Sequence, residues 1–155
     1  PILKDNNLVS LIKDNIKLTN ELDEKIMIDF KTGKSEILLN SDSEQLSRVF
    51  LNLIKNSIES IQDKKKDNAD LIGKIEISIN ENIEKINFII IDNGLGFGKF
   101  TDNIKNILNP YFTTKKKGTG LGLSIVNKII NDHNGKINFV SLESGAKIEI
   151  IFIKQ

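Results

Sequence analysis

Residues 42–61 carry apolar side chains at the spacing of a long amphipathic helix. The helix is preceded by Ser41-Asp-Ser-Glu44, which has the Ser-x-x-Glu form of a capping box. Its apolar side consists of Leu46, Val49, Phe50, Leu53, Ile54, Ser57, Ile58 and Ile61. A helix with one apolar side buries that side against another layer of structure. The rest of the chain must therefore supply a sheet or further helices to cover it.

The other apolar patterns of the chain predict mainly short strands. In chain order they indicate a helix over 5–21, a hairpin of strands 25–30 and 37–39, strands 74–79 and 85–91 around a turn at 80–82, a helix over 119–132, and strands 136–141 and 147–153. Residues 62–70 are interpreted as a polar loop, and 98–117 as a mobile segment with one short helix at 101–108. This order predicts an α+β fold, a two-layer α/β sandwich with a mixed, mostly antiparallel sheet of about five strands and about three helices on one face.

Composition limits the classes of partner. The 155 residues fit one domain, and 22 basic against 21 acidic residues leave a net charge of +1, so no overall field favours nucleic acid or a membrane surface. The absence of cysteine and the single histidine exclude a disulfide framework and make a protein-only zinc site implausible. The longest apolar run, Phe88–Ile91, is far shorter than the ~20 residues of a membrane span. We expect a cytoplasmic segment that is not inserted in a membrane.

Glycines at 118, 120 and 122 lie at the beginning of the predicted helix over 119–132, directly after three lysines, Lys115 to Lys117. Glycines allow close backbone approach, and the first amides of a helix have no partner within the helix and favour anions. The stretch therefore predicts a polyphosphate site. It lacks the Gly-Lys-Ser/Thr ending of a P-loop and is not preceded by a strand, as a dinucleotide fingerprint is. It also follows an Asp-x-Gly element, the reverse of the order in eukaryotic-type protein kinases.

Two asparagines, Asn52 and Asn56, lie one turn apart on the long predicted helix, close to its apolar side. Asparagine is a poor helix former, so a pair in this position invites a ligand explanation. An amide oxygen is a suitable ligand for Mg²⁺, which shares its remaining positions with waters and phosphates. The alternative is a pair of solvated or locally hydrogen-bonded amides, which the sequence leaves open.

Asp92 ends an apolar strand just before Gly94 and Gly96. A carboxylate there can accept a hydrogen bond from an exocyclic amine, and the glycines let a flat ring approach the backbone. Asp-Asn-Gly is also ordinary turn chemistry, so a simple turn is the alternative interpretation.

Four blocks, taken together, resemble the ATP-binding catalytic domain of sensor histidine kinases, and they resemble the nitrogen-regulation type most closely. They are an asparagine box, Gln45-Leu-Ser-Arg-Val-Phe-Leu-Asn-Leu-Ile-Lys-Asn56; a first glycine box, Asp92-x-Gly94-x-Gly96; a phenylalanine box, Tyr111-Phe-Thr-Thr-Lys115; and a second glycine box, Gly118-x-Gly-Leu-Gly-Leu123. The resemblance covers nearly the whole chain. It implies the Bergerat ATP-binding fold, with ATP and Mg²⁺ as ligands.

The resemblance also implies roles for individual residues. Asn56 would be the Mg²⁺ ligand, with Asn52 nearby on the phosphate side, and both would be catalytic. Asp92 would hold the adenine amino group in a pocket shaped by Gly94 and Gly96, under a lid formed by residues 97–117. Phe112 would pack the lid or contact a phosphoacceptor domain. The other nucleotide-binding residues would be Thr114, Lys115, Lys117, Gly118, Thr119, Gly120, Leu121 and Gly122, with the three glycines as the hinge of the lid. A solvated basic loop is the alternative for the lysines.

Position 52 separates enzyme classes within this superfamily. Gyrase-like and mismatch-repair ATPases have a glutamate there that activates water, and the related serine kinases also have a carboxylate, whereas this chain has Asn52. An amide cannot accept a proton as a carboxylate can. Transfer to a nucleophilic histidine is therefore favoured over hydrolysis or transfer to serine. An ATPase or serine kinase, and a nucleotide-responsive interaction module without catalysis, are the alternatives.

The phosphoacceptor histidine of the family is absent from this chain. His133, in Asp-His-Asn-Gly135, precedes a turn, and we interpret it as structural. We expect a single ATP-binding domain over 1–155, with 1–7 as a remnant of the connection to an upstream dimerisation and phosphoacceptor hairpin. The implied partners are ATP, that hairpin and, through it, a response regulator, in a parent protein whose membrane anchoring the sequence leaves open.

Overall fold

The computed structural model describes residues 1–97 and 121–154, and these form a sheet covered by helices. The strands are β1 (Lys4–Asn7), β2 (Met27–Thr32), β3 (Leu38–Ser41), β4 (Lys74–Glu81), β5 (Lys85–Asp92), β6 (Gly135–Ser141) and β7 (Ala146–Ile153). The helices are α1 (Leu8–Asn20), α2 (Ser43–Lys65) and α3 (Leu121–Asp132). The short helix predicted over 101–108 lies outside the described residues.

The main sheet has five strands in the order β2-β4-β5-β7-β6. β2 pairs parallel with β4, and the other neighbours are antiparallel. Side chains alternate between the two faces of a strand, and in β5 and β7 every second residue is buried. The sheet thus has one face packed against helices, which confirms the prediction of a mixed, mostly antiparallel two-layer sandwich.

The core lies between this buried face and α2. The apolar side of α2 consists of the eight residues predicted from the sequence. Phe50 from α2 and Phe88 from β5 are fully buried, and their ring centroids are 5.0 Å apart. Burial of one such side chain contributes about 1.5–3 kcal/mol. The helix that carries Asn52 and Asn56 is therefore anchored in the centre of the core.

The hairpin predicted from residues 25–30 and 37–39 is wrong. β2 pairs with β4, 42 or more residues along the chain, and β3 forms a separate two-stranded sheet with β1. Alternation along a strand determines which side chains face the core, but it does not determine the neighbouring strand. Residues 5–7, predicted as the beginning of a helix, belong instead to strand β1.

Asn7 explains why α1 begins later than predicted. Its side chain accepts hydrogen bonds from Val9 N at 3.1 Å and from Ile37 N at 3.0 Å. It therefore acts as the N-cap of α1 and also ties that end to the residue before β3.

The N-cap of α2 is Asp42 rather than Ser41, so the predicted capping box is wrong by one residue. Asp42 Oδ1 accepts a 3.1 Å hydrogen bond from Gln45 N, whereas the Ser41 hydroxyl donates to Leu39 O. At its other end α2 continues to Lys65, so the first part of the predicted loop over 62–70 is helical.

Among the described residues, no helix has the length and apolarity needed to cross a membrane.

Candidate nucleotide-binding site

The middle of α2 presents Asn52 and Asn56 on one face, at the border between the buried side and solvent. Both residues are half-buried. Within residues 1–97 and 121–154, the side chain of Asn52 forms no hydrogen bond. Four residues of helix separate the two Cα atoms by about 6 Å along the axis. The sequence expectation that the two amides share one face at the edge of the core is met.

Asp92, at the end of β5, is buried beside the same helix with 7% of its surface exposed. The Ser57 hydroxyl donates a 2.9 Å hydrogen bond to Asp92 Oδ2, and the Gly94 N–H donates a 2.9 Å hydrogen bond to Oδ1. Each carboxylate oxygen is thus held by a donor, one from α2 and one from the turn that follows β5. Because Ser57 directly follows Asn56, the carboxylate and the amide are positioned by adjacent residues of one helix.

Gly94 is required by the close packing of its turn on α2. A Cβ atom at Gly94 would lie 2.7 Å from the carbonyl carbon of Ser60 and 2.8 Å from Ile61 N, distances that real side chains do not adopt. The Leu95 N–H also donates a 2.9 Å hydrogen bond to Ser60 Oγ. The first glycine of the box therefore allows the turn that holds Asp92 to lie directly on the helix.

Gly96 is required by its backbone conformation. Its φ is +71°, and a Cβ atom there would lie 2.6 Å from the carbonyl oxygen of Gly145 in the turn between β6 and β7. Both glycines of this box have a packing reason within the described chain, independent of any ligand.

The second glycine box lies mainly outside the described residues, as do the phenylalanine box and the lysines. Outside them are Phe112, Thr114, Lys115, Lys117, Gly118, Thr119 and Gly120. Leu121 begins α3, and Gly122 lies in its first turn. A Cβ atom at Gly122 would meet no atom of the described residues within 4 Å.

His133 joins the end of α3 to the beginning of α2. It is buried, its Nδ1 lies 2.8 Å from Ile129 O, and its Nε2 accepts a 3.1 Å hydrogen bond from Asp42 N. An imidazole that accepts at Nε2 carries its proton on Nδ1 and donates that proton to the carbonyl oxygen. Both ring nitrogens are used within the fold, in agreement with a structural role. α3 packs on α2, and this contact joins the C-terminal end of α3 to the beginning of α2.

Asp42 is also linked to the N-terminal segment. Its carboxylate accepts hydrogen bonds from the backbone N–H groups of Gln45 and Ile2, which lower the pKa of Asp42 below its ordinary value. The ionised side chain therefore stabilises the N-terminus of α2, where the helix dipole also favours negative charge.

A divalent cation would have few protein ligands in this region. Among the described residues, no three or more His, Cys, Asp or Glu side chains are grouped so that they could hold a metal ion. The half-buried amides of Asn52 and Asn56 are oxygen donors of the kind that Mg²⁺ accepts, and Mg²⁺ commonly takes one or two protein ligands together with phosphates and waters. The donor set fits a phosphate-bound Mg²⁺ better than an all-protein cation site.

Sequence reasoning missed three contributors to this region. Ser57 was treated only as part of the apolar side of α2, although a hydroxyl in an apolar stripe next to Asn56 could have been recognised as a polar contact. Lys64 lies within the loop predicted over 62–70, and Gly145 lies between the strands predicted over 136–141 and 147–153. Their contacts with the turn after β5 depend on tertiary packing, which no local pattern reveals.

Comparison with known proteins identifies relatives of both the sequence and the fold. A model of the family described as histidine kinase-, DNA gyrase B- and HSP90-like ATPases matches residues 41–155. An NtrY-like sensor histidine kinase of Rickettsia felis is 33% identical over 158 residues, covering 98% of this chain and 24% of that protein. The chain thus spans about a quarter of the length of this relative.

The fold matches solved histidine kinase domains over almost its full length. The nucleotide-free catalytic domain of histidine kinase ThkA superposes with a TM-score of 0.84 at 30% identity, covering 99% of this chain and 97% of that domain. The structure of ThkA in complex with the response regulator TrrA matches with a TM-score of 0.78 at 27% identity, covering 99% of this chain and 42% of ThkA.

Proposed function

This chain belongs to the histidine kinase-, DNA gyrase B- and HSP90-like ATPase family, as the ATP-binding catalytic domain of a sensor histidine kinase, and we propose that it transfers the γ-phosphoryl group of ATP to a histidine on a separate helical-hairpin domain. The observation that carries this proposal is the arrangement along α2. The Asp92 carboxylate is hydrogen-bonded to Ser57 of α2. Asn56 is the residue before Ser57, and Asn52 lies one turn further toward the N-terminus of the helix.

This arrangement predicts the orientation of the bound nucleotide along α2. The Asp92 carboxylate accepts a hydrogen bond from the exocyclic amine of adenine, at the level of Ser57. The phosphates then extend along α2 past Asn56 toward Asn52, a distance of about 6 Å between the two asparagines. Support for this direction comes from the burial of Asp92 at the base end and the half-burial of the two amides at the phosphate end.

Asn56 would hold Mg²⁺ through its side-chain oxygen, with Asn52 beside the terminal phosphates. When bound, Mg²⁺ neutralises part of the charge on the phosphate oxygens. The amide of Asn56 fits a hard cation, and its place on a helix anchored in the core keeps the oxygen in a fixed position. The described residues thus contribute by orienting the nucleotide and by holding a cation that neutralises phosphate charge. These are the main contributions a protein makes to phosphoryl transfer.

The amide at Asn52 supports transfer to histidine rather than hydrolysis. A carboxylate in this position could take a proton from water, but an amide cannot. A histidine imidazole is itself a nucleophile, so the nitrogen–phosphorus bond forms as the bond to the ADP oxygen breaks, without a strong base from this domain.

Outside the described residues, we assign phosphate binding to Thr114, Lys115, Lys117, Gly118, Thr119 and Gly120, and packing over the nucleotide to Phe112. These assignments rest on the sequence resemblance. Gly122 lies in the first turn of α3 and has no side chain, which supports a close approach of phosphates to the first amides of this helix.

The partners that we propose are the parent protein's own phosphoacceptor hairpin and a response regulator. The size of the R. felis relative, of which this chain covers 24%, supports further domains beside a catalytic one. ThkA, in its complex with TrrA, supports a response regulator as the downstream partner.

Transfer of the labelled γ-phosphoryl group from ATP to the cognate hairpin tests the proposal. The domain and hairpin are incubated with ATP and Mg²⁺, and the phosphoprotein is examined for the acid-labile bond of phosphohistidine. Wild-type domain should label the hairpin, and the Asn56→Ala variant should label it far more slowly. The control is the Asn20→Ala variant, which changes an exposed amide at the end of α1.

Two results would contradict the proposal, each in favour of a different class. Steady release of inorganic phosphate without the hairpin, abolished by Asn52→Ala, would indicate an ATPase. Saturating ATP binding with no labelling of the hairpin would indicate a nucleotide-responsive interaction module.

A further inference from the structure

Lys64, in the last turn of α2, connects three separate parts of the fold. Its ammonium donates a 3.2 Å hydrogen bond to the carbonyl oxygen of Asn93 and a 2.9 Å hydrogen bond to Ser144 Oγ. Asn93 directly follows Asp92, and Ser144 lies in the turn between β6 and β7. One half-buried side chain therefore bridges the helix, the turn after β5 and the turn between β6 and β7.

The turn between β6 and β7 packs closely against the backbone of Asp92 and Asn93. Gly145 has a φ of +104°, and a Cβ atom there would lie 2.8 Å from the carbonyl carbon of Asp92 and 2.9 Å from the Cα atom of Asn93. No side chain larger than hydrogen fits at this position without moving one of the two turns. The backbone after β5 is thus enclosed by α2 on one side and by this turn on the other.

The opposite side of Asn93 is held by its own side chain. Asn93 Oδ1 accepts a 2.8 Å hydrogen bond from Lys74 N, and Asn93 Nδ2 donates a 2.9 Å hydrogen bond to Ile72 O. These contacts fix the turn to β4 and to the segment before it. The bonds of Lys64 supply the contact to α2, the helix that also holds the Asp92 side chain through Ser57.

Within the described residues, Lys64 has no carboxylate partner at ion-pair distance, and its hydrogen-bond partners there are a carbonyl and a hydroxyl. Hydrogen bonds from a charged donor are stronger than those between neutral groups. Holding a lysine side chain in one geometry costs conformational entropy, so a contact of this kind needs a compensating gain. One of the two bonds ends on Asn93, the residue next to the buried carboxylate, and the other ends on Ser144, the residue next to Gly145.

We propose that Lys64 is a positioning residue for adenine recognition, which holds the turn after β5 so that the Asp92 carboxylate meets the exocyclic amine of the base. This inference rests on the proposed function, in which Asp92 binds adenine. Lys64 acts through Asn93 and Ser144 and does not itself touch the nucleotide. Its loss should affect the recognition of the amine more than general nucleotide binding.

The test compares the affinities for ATP and for ITP, whose base lacks the exocyclic amine. Lys64→Met keeps the aliphatic stem and removes the donors, and Ser144→Ala removes a single partner atom with little effect on folding. The ATP preference, expressed as the ratio of the two affinities, should fall about 3-fold or more in Lys64→Met, and in the same direction but less in Ser144→Ala. The affinity for ITP should stay unchanged, and Lys64→Arg should retain most of the preference.

Two variants calibrate the measurement. Lys13→Met changes an exposed lysine of α1 and should leave both affinities unchanged. Asp92→Ala should abolish the preference for ATP. Lys64 has no positioning role if Asp92→Ala abolishes the ATP preference while Lys64→Met and Ser144→Ala both leave it intact. The same conclusion follows if these two variants lower the affinities for ATP and ITP equally. If Asp92→Ala itself leaves the preference intact, the proposed adenine site is wrong, and the inference about Lys64 falls with it.

Discussion

Ser57 Oγ lies 2.9 Å from Asp92 Oδ2, so the residue that directly follows Asn56 also holds the carboxylate at the end of β5. The separation between the two ends of the proposed nucleotide site is therefore set by one helix rather than by two independent elements. Because α2 is anchored in the core through Phe50 and its apolar neighbours, this separation is rigid. A rigid spacing between a base-binding and a metal-binding group is the condition for placing a terminal phosphate accurately.

Ser57→Ala tests this relationship with the smallest change. Removal of the hydroxyl leaves one oxygen of the buried carboxylate without its donor from α2, and ATP binding should weaken by about 0.5–1.5 kcal/mol, or roughly 2- to 13-fold. The Mg²⁺ dependence of binding should not change, because Asn56 is unaffected. Calorimetric titration measures both quantities. Ser35→Ala, at an exposed position, is the control, and equal ATP affinities for the two variants would contradict the prediction.

Asp92→Ala should have a larger effect on the affinity for adenine nucleotides. It removes the acceptor for the exocyclic amine at a site that is 7% exposed, and we expect a loss of about 1–3 kcal/mol, or roughly 5- to 150-fold. The matched control is Asp14→Ala, which changes an exposed carboxylate on α1. Calorimetry that gives an unchanged ATP affinity for Asp92→Ala would remove this residue from the site.

Asn56→Ala should act on the metal rather than on the base. ATP binding without Mg²⁺ should stay close to that of the wild type, and the increase in affinity that Mg²⁺ produces should become smaller, because one oxygen ligand is lost. The measurement is a titration of nucleotide affinity against Mg²⁺ concentration, with Asn20→Ala as the control. A Mg²⁺ dependence identical to that of the wild type would show that Asn56 does not hold the metal.

The capping residue Asp42 gives the fold a pH dependence at the beginning of α2. Hydrogen bonds from the N–H groups of Gln45 and Ile2 lower its pKa in the folded state below the ordinary value of 3.8. The stabilisation is therefore complete above this ordinary value and is lost as the pH falls through the lowered folded-state value.

Asp42→Asn isolates this contribution, because asparagine is also a good N-cap but does not titrate in this range. The free energy of unfolding, measured with urea at a series of pH values, should be higher for the wild type near neutral pH. The difference between the two proteins should shrink as the pH falls below 3.8. A difference that stays constant over this range would show that the charge of Asp42 is not involved.

Much of the fold could be predicted because its long elements carry strong periodic patterns. The apolar side of α2 and the strands β4, β5 and β7 follow from spacing alone, since burial imposes the same period on sequence and structure. The pairing of β2 with β4 could not be predicted, because partner choice depends on the whole sheet. The capping role of Asp42 was missed since Ser41 and Asp42 are both good N-caps, and only the backbone geometry distinguishes them.

The sequence predicts candidate site residues where one residue type carries the chemistry, and their roles remain predictions. Asn52, Asn56 and Asp92 are predicted from their place at the edge of apolar elements, and the structure places Asp92 against Ser57, the residue that follows Asn56 on α2. The supporting contacts of Lys64 and Gly145 could not be identified, because they join elements 29 or more residues apart in the chain. No local pattern distinguishes such a lysine from a solvated one.

The most direct test of the central claim is a crystal structure of this domain with Mg²⁺ and a non-hydrolysable ATP analogue. The proposal predicts that the adenine amino group lies within hydrogen-bond distance of the Asp92 carboxylate, that Mg²⁺ is bound to the side-chain oxygen of Asn56, and that the terminal phosphate lies toward Asn52. An analogue bound in the opposite direction along α2, or a metal ion with no contact to Asn56, would contradict it.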